Sequence, residues 1–251
     1  MSDSNDNRVS RGVTSDTPLY RATRVRLLDS LSRGIYRPGE ALPSEKDLAA
    51  RFGISIGTLR KAVDDLVAEG ILVRQQGRGT FVASHDRDRL LYYFFHIVAH
   101  EGGKTYPRVE LQSFSRARAS AEEAAKLGLA PEAAVIRMRN LLTLGHTPVM
   151  TDDITLSAAR FPKLTEARIR TRSSTLYQLY QAEFGVTIVR TSERLRAVAA
   201  PADVAALLRM QRASPALLIR RVALGYHGEP VEWRVSHVNT TAHEYFGEFG
   251  G

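Results

Sequence analysis

Ser44-Glu45-Lys46-Asp47-Leu48-Ala49-Ala50-Arg51-Phe52-Gly53-Ile54-Ser55-Ile56-Gly57-Thr58-Leu59-Arg60-Lys61-Ala62-Val63 decides how the first third of the chain folds. Ser44 followed by Asp47 three residues later is a helix start, because the hydroxyl can take up a backbone N–H that the first turn leaves unpaired. Leu48, Ala49 and Phe52 give that helix one apolar side, and Gly53 closes it. Ser55 caps a new helix two residues later. Leu59, Ala62, Val63, Leu66 and Val67 then recur at i, i+3, i+4, i+7 and i+8, a single apolar stripe ended by Gly70. A connection as short as Gly53-Ile54-Ser55 forces the two helices to pack closely at a steep angle.

Outward from this pair the punctuation continues. Upstream, Pro18 suits the first position of a helix, where a missing N–H costs nothing. Leu27, Leu28 and Leu31 supply its stripe, Gly34 ends it, and Tyr36-Arg37-Pro38-Gly39 is a turn. Downstream, Ile71–Arg74 and Thr80–Val82 flank Gln75-Gln76-Gly77-Arg78-Gly79, a hairpin with a glycine-rich tip. Three helices and a hairpin in this order make a winged helix-turn-helix, which lays the N-terminal end of its third helix in the DNA major groove. Gly57, Thr58, Arg60 and Lys61 lie there, opposite the stripe. Arg pairs bidentately with guanine, while Thr, Lys and the helix N-terminus suit phosphates. Arg78 at the hairpin tip is placed for a minor groove or a phosphate. The competing reading makes Arg60 and Lys61 a solvated face; the complete element order outweighs it.

The whole chain has 251 residues, a formal charge of +8 and 43% hydrophobic residues. That length fits one large or two ordinary domains with a real core. The basic balance hints at a polyanion, but neither half carries the excess alone. No cysteine is present, which excludes disulfides, thiolate zinc sites, iron–sulfur clusters and a Cys nucleophile. No apolar run reaches the ~20 residues of a membrane span, and the N-terminus lacks a signal peptide's apolar stretch. The expectation is a cytoplasmic protein without membrane contact, divided into a disordered arm (1–17), a winged helix-turn-helix domain (18–84), a charged linker (85–91) and a second domain (92–251).

The second domain holds a weak internal repeat. Ala121–Leu127 reads as a helix, capped by Ser120 with Glu123 in reply. A strand Val135–Leu144, a turn at Gly145-His146 and a return strand from Pro148 follow. Ala202–Leu208 is again a helix, followed by Leu217–Leu224, a turn at His227-Gly228-Glu229 and a return from Pro230. Between the copies lie a helix over Ser174–Phe184 and an alternating strand over Val186–Val198. Two helix-plus-hairpin units predict an antiparallel sheet with helices on one side, so the fold class is α+β.

The motifs of the first domain resemble the GntR-type DNA-binding domain: Pro38-Gly39-Glu40-Ala41-Leu42-Pro43-Ser44-Glu45, Thr58-Leu59-Arg60-Lys61-Ala62, Glu69-Gly70 and Gly77-Arg78-Gly79-Thr80-Phe81-Val82. The second domain is similar to the UTRA effector domain of the HutC-type subfamily. It shares Leu127-Gly128-Leu129, Arg137-x-Arg139, Thr147-Pro148-Val149 followed by Asp152, Thr175-Leu176-Tyr177, Phe184-Gly185 and Gly228-Glu229-Pro230-Val231-Glu232. Together these span nearly everything from Pro18 to Phe246. The resemblance implies a chorismate-lyase-like second domain and a homodimeric, effector-responsive transcription regulator, usually a repressor, on a double-stranded operator. It adds Ser44, Lys46, Ser55, Ile56 and Gly77 to the DNA-contacting set. Ile56 stands where the family carries Arg, and Lys46 where it carries Arg or Glu, so the operator should differ from the common one. Asp152 replaces the usual Glu, and Val238 stands where an aromatic is frequent, which alters the effector.

Arg137 and Arg139 share one face of their strand while Ile136, Met138 and Leu142 share the other. Pattern alone allows a solvated sheet face or two guanidiniums converging on an anion. The resemblance favours the second, and it brings Tyr177, Glu232 and Asp152 with it as effector-binding residues. The expected ligand is thus small and anionic or polar.

Other signals carry less. Gly53-Ile54-Ser55-Ile56-Gly57 matches a nucleophile elbow, which needs a strand before its Ser; here a helix precedes it. His96 and His100 lack an evident third ligand, so no metal is expected. Gly77-x-Gly79 has no strand–helix setting for a dinucleotide, and no cofactor is called for. Asp152 and Asp153 point to opposite faces and cannot form a dyad. Besides the regulator, two readings compete: a small-molecule enzyme built on the chorismate-lyase-like domain, and a sequence-blind DNA-binding protein favoured by charge alone.

Overall fold

The computed structural model describes residues 18–85 and 93–247. The arm expected at 1–17 and the linker expected at 85–91, apart from His85, lie outside the described residues. The first domain comprises α1 (Leu19–Ser32), α2 (Glu45–Phe52), α3 (Ile56–Ala68) and the hairpin β1 (Leu72–Gln75) with β2 (Gly79–Val82). The predicted caps are in place. The Ser44 hydroxyl accepts from the Asp47 N–H and the Ser55 hydroxyl from the Thr58 N–H. Gly53 adopts φ 65°, the left-handed geometry that lets α2 stop and α3 start within three residues. Pro18 precedes α1 as its cap rather than occupying its first turn. Leu27, Leu48, Leu59, Ala62 and Leu66, all at 2% exposure or less, form the core of the head. Truncating such a leucine to alanine costs about 2–5 kcal/mol.

The second domain is built on a six-stranded antiparallel sheet of order β4-β5-β6-β9-β8-β7. Its elements are β3 (Ile97–Ala99), β4 (Arg108–Arg118), α4 (Ala121–Leu127), β5 (Ala134–Leu144), β6 (Thr147–Ser157), α5 (Glu166–Arg170), α6 (Leu176–Phe184), β7 (Arg190–Ala199), α7 (Ala202–Leu207), β8 (Pro215–Leu224), β9 (Pro230–Val238) and β10 (His243–Tyr245). β10 pairs with β3 as a separate two-stranded ribbon. The repeat is longer than the sequence suggested. Each copy is a strand, a helix and a hairpin: β4-α4-β5-β6, then β7-α7-β8-β9. The copies meet where β6 pairs with β9.

The helices do not keep to one side. α4 and α7 take one face of the sheet, where Glu123 and Asp203 reach Arg137 and Arg139. On the opposite face α6 buries Leu176, Tyr177, Leu179 and Tyr180, together with Phe161, Leu164 and Ile169, against Ile136, Met138, Ile154 and Leu156. The strand expected from Val186 begins only at Arg190.

The two domains touch. Val189 and Tyr226 pack against the core of the head. His227, in the β8–β9 turn, sets its Nε2 3.4 Å from an Asp29 carboxylate oxygen of α1.

Candidate nucleic-acid interface and effector cleft

In the head, Ile56, Gly57 and Arg60 at the start of α3 are exposed, as are Ser44 and Lys46 at the start of α2 and Gly77 and Arg78 at the hairpin tip. A shallow groove lined by Ser44, Glu45, Gln76 and Gly77 joins the start of α2 to the hairpin. The Ser55 and Thr58 hydroxyls share a hydrogen bond of 2.8 Å. At Gly57 a Cβ would meet only the Ser55 Oγ, at 3.9 Å, so the backbone there is open to close approach. Arg60 is committed to Glu45, with Nε 2.9 Å from Oε2. Lys61 places its Nζ 4.2 Å from the centre of the Tyr20 ring on α1. Arg78 stacks on Phe81, 5.6 Å away. Gly77 has φ 71°, a conformation that fits glycine at the tip. Arg60, Lys61 and Arg78 thus each rest on a half-buried partner of this head, Glu45, Tyr20 and Phe81, that DNA phosphates or base edges could replace.

The second domain contains a cleft of about 280 Å³ on the α6 side of the sheet. Its floor is the face formed by Asn140 and Leu142 of β5, Met150 and Asp152 of β6, Arg221 of β8 and Arg234 of β9. Phe94, Tyr106 and the stretch from Arg170 to Tyr177 wall it. The floor is polar and densely bonded. Arg234 donates to Asp152 at 2.8 Å and to Glu232 at 2.9 Å, and the Ser236 hydroxyl donates to Asp152 at 2.6 Å. Glu232, fully buried, also accepts from the hydroxyls of Tyr177 (3.1 Å) and Tyr180 (3.0 Å). Burial works against the charge of Arg234, yet Glu232 and Asp152 outweigh it and push its pKa well up. Burial, aided by Glu232, raises both tyrosines, so they remain protonated donors. Arg221 pairs with Glu193 at 2.5 Å and donates to the Phe94 carbonyl at 2.6 Å.

The structure brings Asp152, Tyr177 and Glu232 together here. It does not bring Arg137 and Arg139. They share a face, as the alternation required, but it is the face away from the cleft. Arg137 makes two 2.7 Å bonds to Glu123 of α4, and those bonds draw the Glu123 carboxyl down to about 2. Arg139 grips Asp153 at 2.6 and 2.9 Å and reaches Asp203 of α7 at 2.7 Å. Through Glu123 and Asp203 these two guanidiniums tie α4 and α7 to the sheet. Their neighbour Asn140 faces the cleft instead. Arg172, Arg221, Arg234 and Asn140 escaped the sequence reading. The alternation Glu232-x-Arg234-x-Ser236, polar on a side flanked by Trp233 and Val235, was the available signal.

His85 is 2% exposed. Its backbone N–H donates to Gln181 of α6 at 3.0 Å and its Nε2 accepts from the Ile188 N–H at 3.2 Å. Its ring stands 5.6 Å from that of Phe94, a wall of the cleft.

A DNA-reading head joined to a walled polar cleft has counterparts among known proteins. A profile for the bacterial regulatory proteins of the gntR family matches residues 19–82, and one for the UTRA domain matches residues 102–244. The chain belongs to the GntR family and carries a UTRA domain. This GntR–UTRA protein is a DNA-binding transcription regulator. It is 31% identical over 216 residues to the probable fructoselysine utilization operon transcriptional repressor of Escherichia coli, covering 85% of this chain and 87% of the relative. To the histidine utilization repressor of Klebsiella aerogenes it is 29% identical, over 83% of this chain and 85% of the relative. Its second domain resembles the ligand-binding domain of a GntR-family regulator from Bordetella bronchiseptica, with 32% identity and a TM-score of 0.61 over 63% of this chain and 99% of that one. PhnF from Mycobacterium smegmatis shares the fold at 24% identity, with a TM-score of 0.53 over 91% of this chain and 99% of that one.

Proposed function

We propose that this regulator is a cytoplasmic repressor of the HutC-type subfamily that holds its operator as a homodimer and leaves it when a small molecule fills the cleft. The carrying observation is the contact chain from cleft to head: Tyr177 and Phe94 line the cleft and pack against His85, the residue that follows the head. Named relatives that repress utilization operons support the direction of control. Ser44, Lys46, Ser55, Ile56, Gly57, Thr58, Arg60, Lys61, Gly77 and Arg78 form the DNA-facing surface. Two-fold pairing of two heads gives symmetric half-sites. Asp152, Tyr177 and Glu232 shape the cleft.

We infer further that the cleft binds its ligand without transforming it. The carboxylate oxygens of Asp152 and Glu232 are engaged by Arg234, Ser236 and two tyrosines, so they are occupied within the domain rather than turned to a substrate. Footprinting on DNA upstream of the protein's own gene and its neighbours, with and without cell extract metabolites, tests the proposal. A protected palindrome that is released by a small-molecule fraction is expected. Protection without symmetry, or without any release, overturns it.

A further inference from the structure

Glu45 stands between two arginines. Its Oε2 accepts from Arg60 of α3 at 2.9 Å, and its Oε1 lies 3.4 Å from a guanidinium nitrogen of Arg74 on β1. The same Arg74 nitrogen sits 2.6 Å from Oδ1 of Asp64. Asp64 follows Arg60 by four residues on α3, the spacing at which opposite charges on a helix meet, yet the cation it holds belongs to the hairpin. Arg74 therefore draws on a carboxylate bonded to Arg60 and on another one helical turn away from it.

The backbone fixes Arg74 in that place. It faces Thr80 in the hairpin register, and the hairpin is tied to the chain just before α2. The Leu42 N–H donates to the Thr80 carbonyl at 2.8 Å, and the Gly39 N–H to the Val82 carbonyl at 2.8 Å. The guanidinium is thus presented to the start of α2 and to α3 from a strand of fixed register. All four side chains keep contact with solvent, from 29% exposed for Glu45 to 59% for Arg60. Each pair is therefore weak, and partners exchange at little cost.

We propose that Arg74 is a positioning residue for DNA binding: it holds Glu45 and Asp64 when Arg60 turns to DNA, and so sets how readily Arg60 leaves the protein. The inference rests on the placing of Arg60 in the DNA-facing surface. A guanidinium that moves from Glu45 to a base edge or a phosphate leaves a carboxylate behind beside a polyanion, which repels it. With Arg74 on the other oxygen that carboxylate remains paired, and Asp64 is kept from drawing Arg60 back along the helix. Without Arg74, both acids compete with DNA for the one cation left. The hairpin thereby does more than offer Arg78 at its tip, since its first strand also governs the reading helix.

The test measures binding of full-length variants to an operator fragment by fluorescence anisotropy at about 50 mM salt, where exposed charges are less screened than at physiological salt. Arg74→Gln should weaken binding about two- to fivefold, the range of an exposed ion pair, and Arg74→Lys, which keeps the charge, should stay within about 1.5-fold of wild type. In an Arg60→Ala background the same Arg74→Gln change should alter affinity by less than about 1.5-fold, because the residue it serves is gone. A loss that persists in that background overturns the proposal, and a salt slope lowered by about one would then assign Arg74 to a phosphate. Wild-type affinity in Arg74→Gln, or a Lys variant as weak as the Gln one, overturns it too. If Arg60→Ala alone leaves operator binding unchanged, the DNA-facing placement of Arg60 fails and the proposal with it. If Arg60→Ala weakens binding but the Arg74 effects are not those expected, that placement stands and the proposal alone fails.

Discussion

The ring of His85 stands edge-on to that of Tyr177, 5.9 Å between centroids, while the Tyr177 hydroxyl is bonded to Glu232 beneath the cleft. A side chain that faces the ligand space is thereby in van der Waals reach of the residue that leaves the head. Any ligand that shifts Tyr177 has to be accommodated by His85, because packed interiors have little slack.

His85→Leu should therefore keep the apolar contact but lose the hydrogen bond from the Ile188 N–H. Operator affinity without ligand should stay within about threefold of wild type. The ligand-induced loss of affinity should shrink by about 0.5–2 kcal/mol, the usual size of a coupling change at an intermediate residue. Fluorescence anisotropy on an operator fragment, titrated at several ligand concentrations, measures both. A full ligand response in the variant removes His85 from the path.

In the head, the Glu45 carboxylate occupies Arg60 and also lies 3.4 Å from Arg74. DNA must displace it. Arg60→Ala should weaken operator binding by about 1–3 kcal/mol and relax preference at one base per half-site, if Arg60 reads a base edge. Glu45→Gln should raise affinity for operator and random DNA alike, since it removes a negative charge from the interface. Selection from a randomised operator library separates these outcomes. Equal losses on operator and random DNA for Arg60→Ala would assign that residue to a phosphate.

Arg234 joins Asp152 to Glu232 in the middle of the sheet, and both acids are almost wholly buried. Arg234→Met should strand two carboxylates and cost about 3–5 kcal/mol in urea unfolding of the second domain. The head has a core of its own, so its part of the unfolding curve should move little. Replacing Arg234, Asp152 and Glu232 together by apolar residues should recover part of the loss. An additive triple variant would argue against a shared network.

Stability should fall on mild acidification. Burial holds the pKa of His237 and of His243 below the ordinary value of about 6.5. As pH drops through that value, the unfolded chain takes up protons before the folded one does, so folding weakens with each step down. His237→Gln should flatten the melting temperature between pH 7 and the folded-state pKa, and a slope unchanged by it would acquit His237. A second loss should follow below pH 4.5 and run toward about 2 as Glu123 protonates and releases Arg137; Glu123→Gln removes that limb.

The sequence exposed the head almost completely because its signals are local. Ser44, Ser55, Gly53 and Gly70 act within one turn of themselves, and the stripe from Leu59 to Val67 needs no knowledge of the rest. The second domain was legible as helix-plus-hairpin units for the same reason. β4 was not foreseen. Its exposed Arg108 to Arg118 lies on the sheet edge, where burial imposes a weak pattern. The cleft was harder still. Period-two alternation tells which residues share a face but not which face a ligand meets. Arg137 and Arg139 therefore looked like a binding pair while Asn140, between Arg139 and Leu141, held the floor. That choice depends on α4 and α7 lying over one side, a long-range fact with no local mark.

The seam between β6 and β9 divides the sheet into two copies of one strand–helix–hairpin plan, and the cleft straddles it. Asn140 and Asp152 come from the first copy, Arg221 and Arg234 from the second. The floor is thus assembled from two different parts of the chain. Arg234 of the second copy is bonded to Asp152 of the first, so a substitution on one side of the seam disturbs the other as well. A change in the shape of this floor would therefore call for matched substitutions in both copies, although each copy is encoded as a separate stretch of chain.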